Sequence, residues 1–147
     1  MKENLVCEAS ITIDADLSKV WKAITIPSLI RKYLFGTTVT SDWKEGGAIT
    51  YEGEYNGKTY KDKGVIKKLE PEKIFQSTYW SSMSGKEDKP ENYNTVTYSL
   101  SAKNGNTVVT LSQDNINSEK EKEHVTKNWE MTLKNLKKVV EEDKGIK

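Results

Sequence analysis

Apolar and polar positions alternate two by two along most of the chain, then change near its carboxyl end to steps of three and four. Residues 5–14 set Cys7, Ala9, Ile11 and Ile13 on one side and Glu8, Ser10 and Thr12 on the other, which predicts a half-buried strand. Asp16 then predicts the cap of a short helix whose apolar positions Leu17, Val20, Trp21 and Ile24 follow helical spacing. Pro27 suits the first turn of a second short helix carrying Leu29, Ile30 and Tyr33 and ending near Gly36.

The middle of the chain predicts strands joined by tight turns. Residues 48–54 alternate, with Ile49, Tyr51 and Gly53 on one face and Thr50, Glu52 and Glu54 on the other. Asn56-Gly57 is a strong hairpin signal, because a type I′ turn needs positive φ at both central residues. The next strand runs over residues 58–69 and stops at Glu70-Pro71, where proline removes a donor. Residues 74–80 predict a further strand, and residues 81–91, rich in Ser, Gly, Lys and Pro, predict a loop. Residues 94–102 and 106–113 complete the set as two strands joined across Lys103-Asn104-Gly105.

Ser118-Glu119-Lys120-Glu121 is a capping box that opens a long helix. Val125, Trp129, Leu133, Leu136 and Val140 form its single apolar stripe. Glu119, Glu121 and Glu123 favour the positive end of its dipole, and Lys134, Lys137 and Lys138 lie toward the negative end. Glu123–Lys127 and Glu130–Lys134 add two supporting pairs at i, i+4. A helix over residues 118–142 would span roughly 35 Å at 1.5 Å per residue. Strands in a run followed by one long helix predict an α+β domain built on an antiparallel sheet.

Several stretches also resemble a known group. "DLSKVWKAITIP", residues 16–27, resembles the opening helix of the SRPBCC or START-like superfamily. It is more closely similar to the family named after the activator of the heat-shock protein 90 ATPase. Asp42-Trp43-Lys44-Glu45-Gly46-Gly47 followed by Ile49 and Tyr51 resembles that family's second hairpin. "KDKGVIKKLEPEKIF" over residues 61–75, "VTYSL" over residues 96–100, and Trp129, Leu133, Leu136 and Lys137 match its later strands and closing helix. Tyr33 stands where many relatives carry Trp. The resemblance implies the helix-grip fold, also called START-like or birch-pollen-allergen-like, as one domain over residues 1–147. In that fold a curved antiparallel sheet wraps a long carboxy-terminal helix, and two short helices follow the first strand. It also implies an elongated cavity between sheet and helix.

Composition narrows the classes that remain. The chain has 147 residues, enough for a real core without disulfides or a structural metal. Its 23 Lys+Arg and 22 Asp+Glu leave a net charge of +1, which removes the electrostatic footprint of a dedicated nucleic-acid binder. Mean hydropathy is -0.74, and no apolar run approaches the ~20 residues of a membrane span. Met1-Lys2-Glu3-Asn4 runs straight into a strand pattern, so a signal peptide is not expected, and a lone cysteine suits a reducing cytoplasm.

One histidine, His124, and one cysteine, Cys7, do not make a zinc site of the usual kind, so neither metal nor cofactor is expected. His124 falls off the helical stripe and is expected in solvent; Cys7 is expected to act as a small buried hydrophobe. Glu52, Glu54 and Asp62 together would offer acid/base chemistry, but they are expected to oppose the apolar face and point to solvent. Lys58, Lys61, Lys63, Lys67 and Lys68 are expected to blunt an exposed strand.

The remaining signal is aromatic: four Trp and seven Tyr against two Phe. Such side chains combine an apolar body with a polar handle, as a partly wet pocket needs. Expected ligand-binding positions are Tyr51, Ile66, Trp80, Tyr98, Leu111 and Gln113 on strands, with Trp129 and Leu133 on the long helix. Val20, Trp21 and Leu136 are expected to pack the core. Three functions fit: a binder of a small apolar or amphipathic molecule, a cyclase- or hydrolase-type enzyme using the same space, or a co-chaperone-like interaction module. The binder is favoured because catalytic constellations are lacking; an inward-facing carboxylate would favour the enzyme.

Overall fold

In the computed structural model, residues 4–34, 36–55, 57–82 and 85–142 are described. Asn56 of the expected hairpin turn, the opening residues 1–3 and two positions of the expected loop at 81–91 lie outside them. The chain forms β1 (Leu5–Ile13), α1 (Leu17–Thr25), α2 (Pro27–Tyr33), β2 (Thr38–Ser41), β3 (Ala48–Tyr55), β4 (Lys58–Glu70) and β5 (Ile74–Tyr79). A short 3₁₀ turn (Pro90–Asn92) leads into β6 (Asn94–Lys103), β7 (Asn106–Ile116) and α3 (Glu119–Glu142). Strand β2, four residues long, was not among the expected elements; it is too short for alternation to reveal and forms by pairing with β3.

Among the described residues seven strands form one antiparallel sheet in the order β1-β7-β6-β5-β4-β3-β2. The sheet is curved, and with the long closing helix it makes the helix-grip architecture. Local chemistry sets most boundaries. The Asp16 carboxylate accepts the Lys19 amide at 2.9 Å and starts α1. Asn104 and Gly105 both have positive φ, 53° and 84°, as a tight type I′ connection requires. At α3 the Ser118 hydroxyl accepts the Glu121 amide at 3.1 Å, while the Glu121 carboxylate reaches back to the Asn117 amide at 3.1 Å. The box therefore closes one residue earlier than the usual pattern.

Packing then decides where the space lies. Leu133, Leu136 and Val140 of α3 are buried, and the helix rests on β1, β7, α1 and α2. Its far end is tied to β1: the Asp14 amide donates to Glu141 at 2.8 Å, and Lys137 donates to the Thr12 carbonyl at 3.0 Å. Asn135 donates to the Tyr33 carbonyl at 3.3 Å, joining α2 to α3. The core runs through Ile13, Val20, Ile24, Ile66, Leu111 and Leu136. Strands β3 to β5, on the opposite half of the sheet, are absent from the main packing partners of α3.

The β4–β5 ladder carries a register shift between Ile66 and Lys68. Nearby, the Thr78 hydroxyl accepts the Val65 amide at 2.8 Å, and Lys63 bridges to Trp80. Gly64 sits at this crossing, and a Cβ there would lie 1.7 Å from the Thr78 carbonyl oxygen. Backbone cannot yield as a flexible side chain can. Gly64→Ala is therefore expected to lower stability by about 1–3 kcal/mol, the usual range for overpacking. Urea unfolding measures this, and an unchanged midpoint would show that β4 and β5 separate freely there.

Candidate functional site

Antiparallel pairing places directly opposite residues on the same face. Tyr51 of β3 lies opposite Asp62 of β4, Ile66 opposite Ser77 of β5, and Phe75 opposite Tyr98 of β6. Val96 and Tyr98 pair with Gln113 and Leu111 of β7. Inward positions thus run across the sheet from Tyr51 to Gln113. Facing them, α3 presents Val125, Asn128, Trp129 and Thr132, while Leu34 and Thr37 come from the end of α2 and the approach to β2. Between these walls lies a cavity of about 590 Å³. It exists because α3 packs on the β1 and β7 side, while β3 to β5 curve away with tyrosines on their inner face.

The lining is aromatic with a buried polar seam. The Tyr51 and Tyr79 rings meet edge to face at 5.6 Å, and Tyr98 meets Trp129 in the same manner at 6.4 Å. Asp62 is only 5% exposed. The Tyr79 hydroxyl donates to its Oδ2, the Ser82 amide donates to Oδ1 at 3.0 Å, and the Ser82 hydroxyl lies 3.5 Å from Oδ1. The Tyr51 hydroxyl bonds Ser77, and Tyr33 bonds Tyr98. Trp129 donates its indole N–H to Gln113 at 2.8 Å, fixing both across the space between helix and sheet. At the rim, the Thr37 and Tyr60 hydroxyls are 2.6 Å apart, and Glu54 reaches the edge from β3. Burial pushes the Tyr51 hydroxyl up to about 12, with the Asp62 charge adding to it. Tyr33, Tyr79 and Tyr98 are raised for the same first cause, loss of solvent.

Of the expected positions, Tyr51, Tyr98, Gln113 and Trp129 line this cavity. Ile66, Leu111 and Leu133 are fully buried in the core and are not among its lining residues. Trp80 is a correction: β5 turns Phe75, Ser77 and Tyr79 inward, which sends Trp80 to the other face. There it stacks on Tyr93 at 6.5 Å, donates to the Lys86 carbonyl at 3.2 Å and lies beneath the Lys63 ammonium.

Asp62 is the second correction. It was expected in solvent beside Glu52 and Glu54, but it faces inward. A signal was available: Tyr55 pairs with Lys58 across a two-residue turn, and counting back from that pair sets Asp62 against Tyr51, not against Glu52. Glu52 instead meets Lys61 at 3.7 Å in solvent. Ser77 and Tyr79 were missed although they alternate with Phe75, and Thr132 and Asn128 carried no apolar signal.

Among the described residues, no three His, Cys, Asp or Glu side chains lie together as a metal site would require. His124 is exposed on α3, and Cys7 is buried, its thiol raised by loss of solvent.

The family described as activator of Hsp90 ATPase homolog 1-like protein matches residues 14–141. The chain is similar to the solution structure of ChR145 from Cytophaga hutchinsonii, with 43% identity, 96% of each chain covered and a TM-score of 0.83. It shares its fold with the Aha1 dimer from Colwellia psychrerythraea at 20% identity, covering 96% of this chain and 99% of that one, with a TM-score of 0.75. It also shares its fold with DynU16, a protein in the dynemicin biosynthetic locus, at 14% identity and a TM-score of 0.78. That match covers 93% of this chain and 47% of DynU16. No curated protein matches the chain.

The raised tyrosines fix an alkaline limit. A folded pKa above the unfolded value adds stability that is complete below the unfolded pKa and is lost as pH rises. Stability is expected to be level up to about pH 10, the unfolded tyrosine value, and to fall as pH climbs toward the Tyr51 value of about 12. Phenolate absorbance from Tyr33, Tyr51, Tyr79 and Tyr98 should appear only with unfolding. If all seven tyrosines ionise near pH 10 in the folded protein, the cavity wall is wet.

Proposed function

The chain belongs to the activator of Hsp90 ATPase homolog 1-like protein family, and from that premise we propose that it binds a small apolar or amphipathic molecule between the curved sheet and α3. The observation that carries this reading is the cavity itself. Its volume of about 590 Å³ lies within the ~300–1,000 Å³ typical of small-molecule sites. Its wall joins large aromatic bodies to a few convergent polar groups, Asp62, Gln113 and Ser77, the mixture that orients a mostly apolar guest. The Gln113–Trp129 bond and the Asp62–Tyr79 bond hold those groups in place before anything binds.

A second reading has one specific observation in its favour. Asp62 is the inward carboxylate that a cyclase- or hydrolase-type reaction would need in a chain with a single histidine. In that case Asp62 acts as general base, and the Tyr79 hydroxyl, which donates to its Oδ2, holds the carboxylate in position. A chaperone partner follows only from the family's description; co-purification and ATPase stimulation test it.

Thermal shift and native mass spectrometry against a lipid and polyketide library test the binding reading. At least one member is expected to raise the melting temperature and to move the Trp129 indole N–H resonance. Thr132→Phe, which fills the space from α3, is expected to weaken that member tenfold or more. A library without a single binder would overturn the proposal. For the enzyme reading, the bound member should be chemically changed, and Asp62→Asn should abolish the change while binding persists; release of unaltered compound by the wild type sinks it.

A further inference from the structure

The charge of the cavity goes beyond its size and apolarity. Its charged lining residues are Glu54 and Asp62, both acidic, and no Lys, Arg or His contributes to the wall among the described residues. The alternation of β4 produces this. Asp62 turns inward, while its neighbours Lys61 and Lys63 turn outward to Glu52 and Asp88. The donors reaching Asp62 among the described residues are neutral: the Tyr79 hydroxyl and the amide and hydroxyl of Ser82. A carboxylate offers about four acceptor positions, and among the described residues Oδ2 accepts from Tyr79 alone. A buried carboxylate held, among the described residues, by neutral donors is stabilised by a cation that enters beside it.

The rings around that carboxylate favour the same sign. Tyr51 stands directly opposite Asp62, Tyr79 is bonded to it, and the two rings meet edge to face. Aromatic faces carry negative potential and attract cations within about 6 Å. Tyr98 and Trp129 continue the aromatic wall toward α3, away from the carboxylate. Resting on the small-molecule reading above, we infer that the guest is a protonated amine on an apolar body, its ammonium at Asp62 and its apolar part along Tyr98 and Trp129.

An isosteric series separates this inference from the reading beneath it. Decylamine, 1-decanol and decanoate share one chain length and carry positive, neutral and negative heads at neutral pH. Calorimetric titration below their aggregation limits is expected to rank decylamine at least tenfold tighter than 1-decanol, with decanoate weakest. The Trp129 indole N–H should shift in each complex. Asp62→Asn should remove most of the preference for decylamine over 1-decanol, and an unchanged circular dichroism spectrum shows that the variant is folded. Should that variant fail to fold, Glu54→Gln at the exposed rim is expected to narrow the decylamine preference by about threefold. Equal binding of all three compounds to the wild type overturns the amine and leaves the cavity reading standing. Absence of binding by all three overturns the amine, and the cavity reading then stands or falls with the library screen.

Discussion

A helix with one apolar stripe can press against only part of a curved sheet, and the arrangement of this molecule follows from which part α3 covers. Leu133, Leu136 and Val140 are buried where the helix lies on β1, β7, α1 and α2. The bonds from Asp14 and Thr12 to Glu141 and Lys137 hold the end of the helix there. Once that half of the sheet is sealed, the curvature carries β3 to β5 away from the helix, and the part of their inner face around Tyr51 and Tyr79 borders the cavity. Tyrosines, whose bodies are apolar and whose hydroxyls find partners, occupy this region.

The polar groups along that inner face are paired with one another. Tyr79 and Ser82 serve Asp62, Ser77 serves Tyr51, Tyr98 serves Tyr33, and Gln113 serves Trp129. An unpaired buried polar group costs about 1–3 kcal/mol, so a seam satisfied in this way can be kept beside an open space without unfolding the sheet. The same pairing positions the groups rigidly. The carboxylate, the indole and the amide are each fixed by a bond to a different element, so the chemistry of the cavity is set by the fold and not by side-chain mobility.

Much of the architecture was legible from periodicity and turn chemistry. Asp16, Ser118 and the Asn104-Gly105 turn act through bonds to near neighbours, and such local bonds form wherever those residues stand. Strand facing was less legible. One residue of phase reverses every side chain, and the phase of β4 depends on its pairing with β3. That is why β4 alone does not show Asp62 inside, and the facing of Trp80 depends in the same way on the pairing at the end of β5. Ile66, Leu111 and Leu133 are apolar and inward, as expected, yet they fill the core and do not border the cavity. An apolar inward residue looks the same in sequence whether its neighbour is a side chain or a void.

The chain by itself determined six of its seven strands, its three helices, the capping of the long one and the aromatic character of its interior, because those depend on residues close together in sequence. The curvature of the sheet, the half that α3 leaves uncovered and the inward turn of Asp62 were decided only by tertiary structure. Each of these is a relation between segments far apart in the chain, and the shape of a void is set by what surrounds it, so no single segment encodes it.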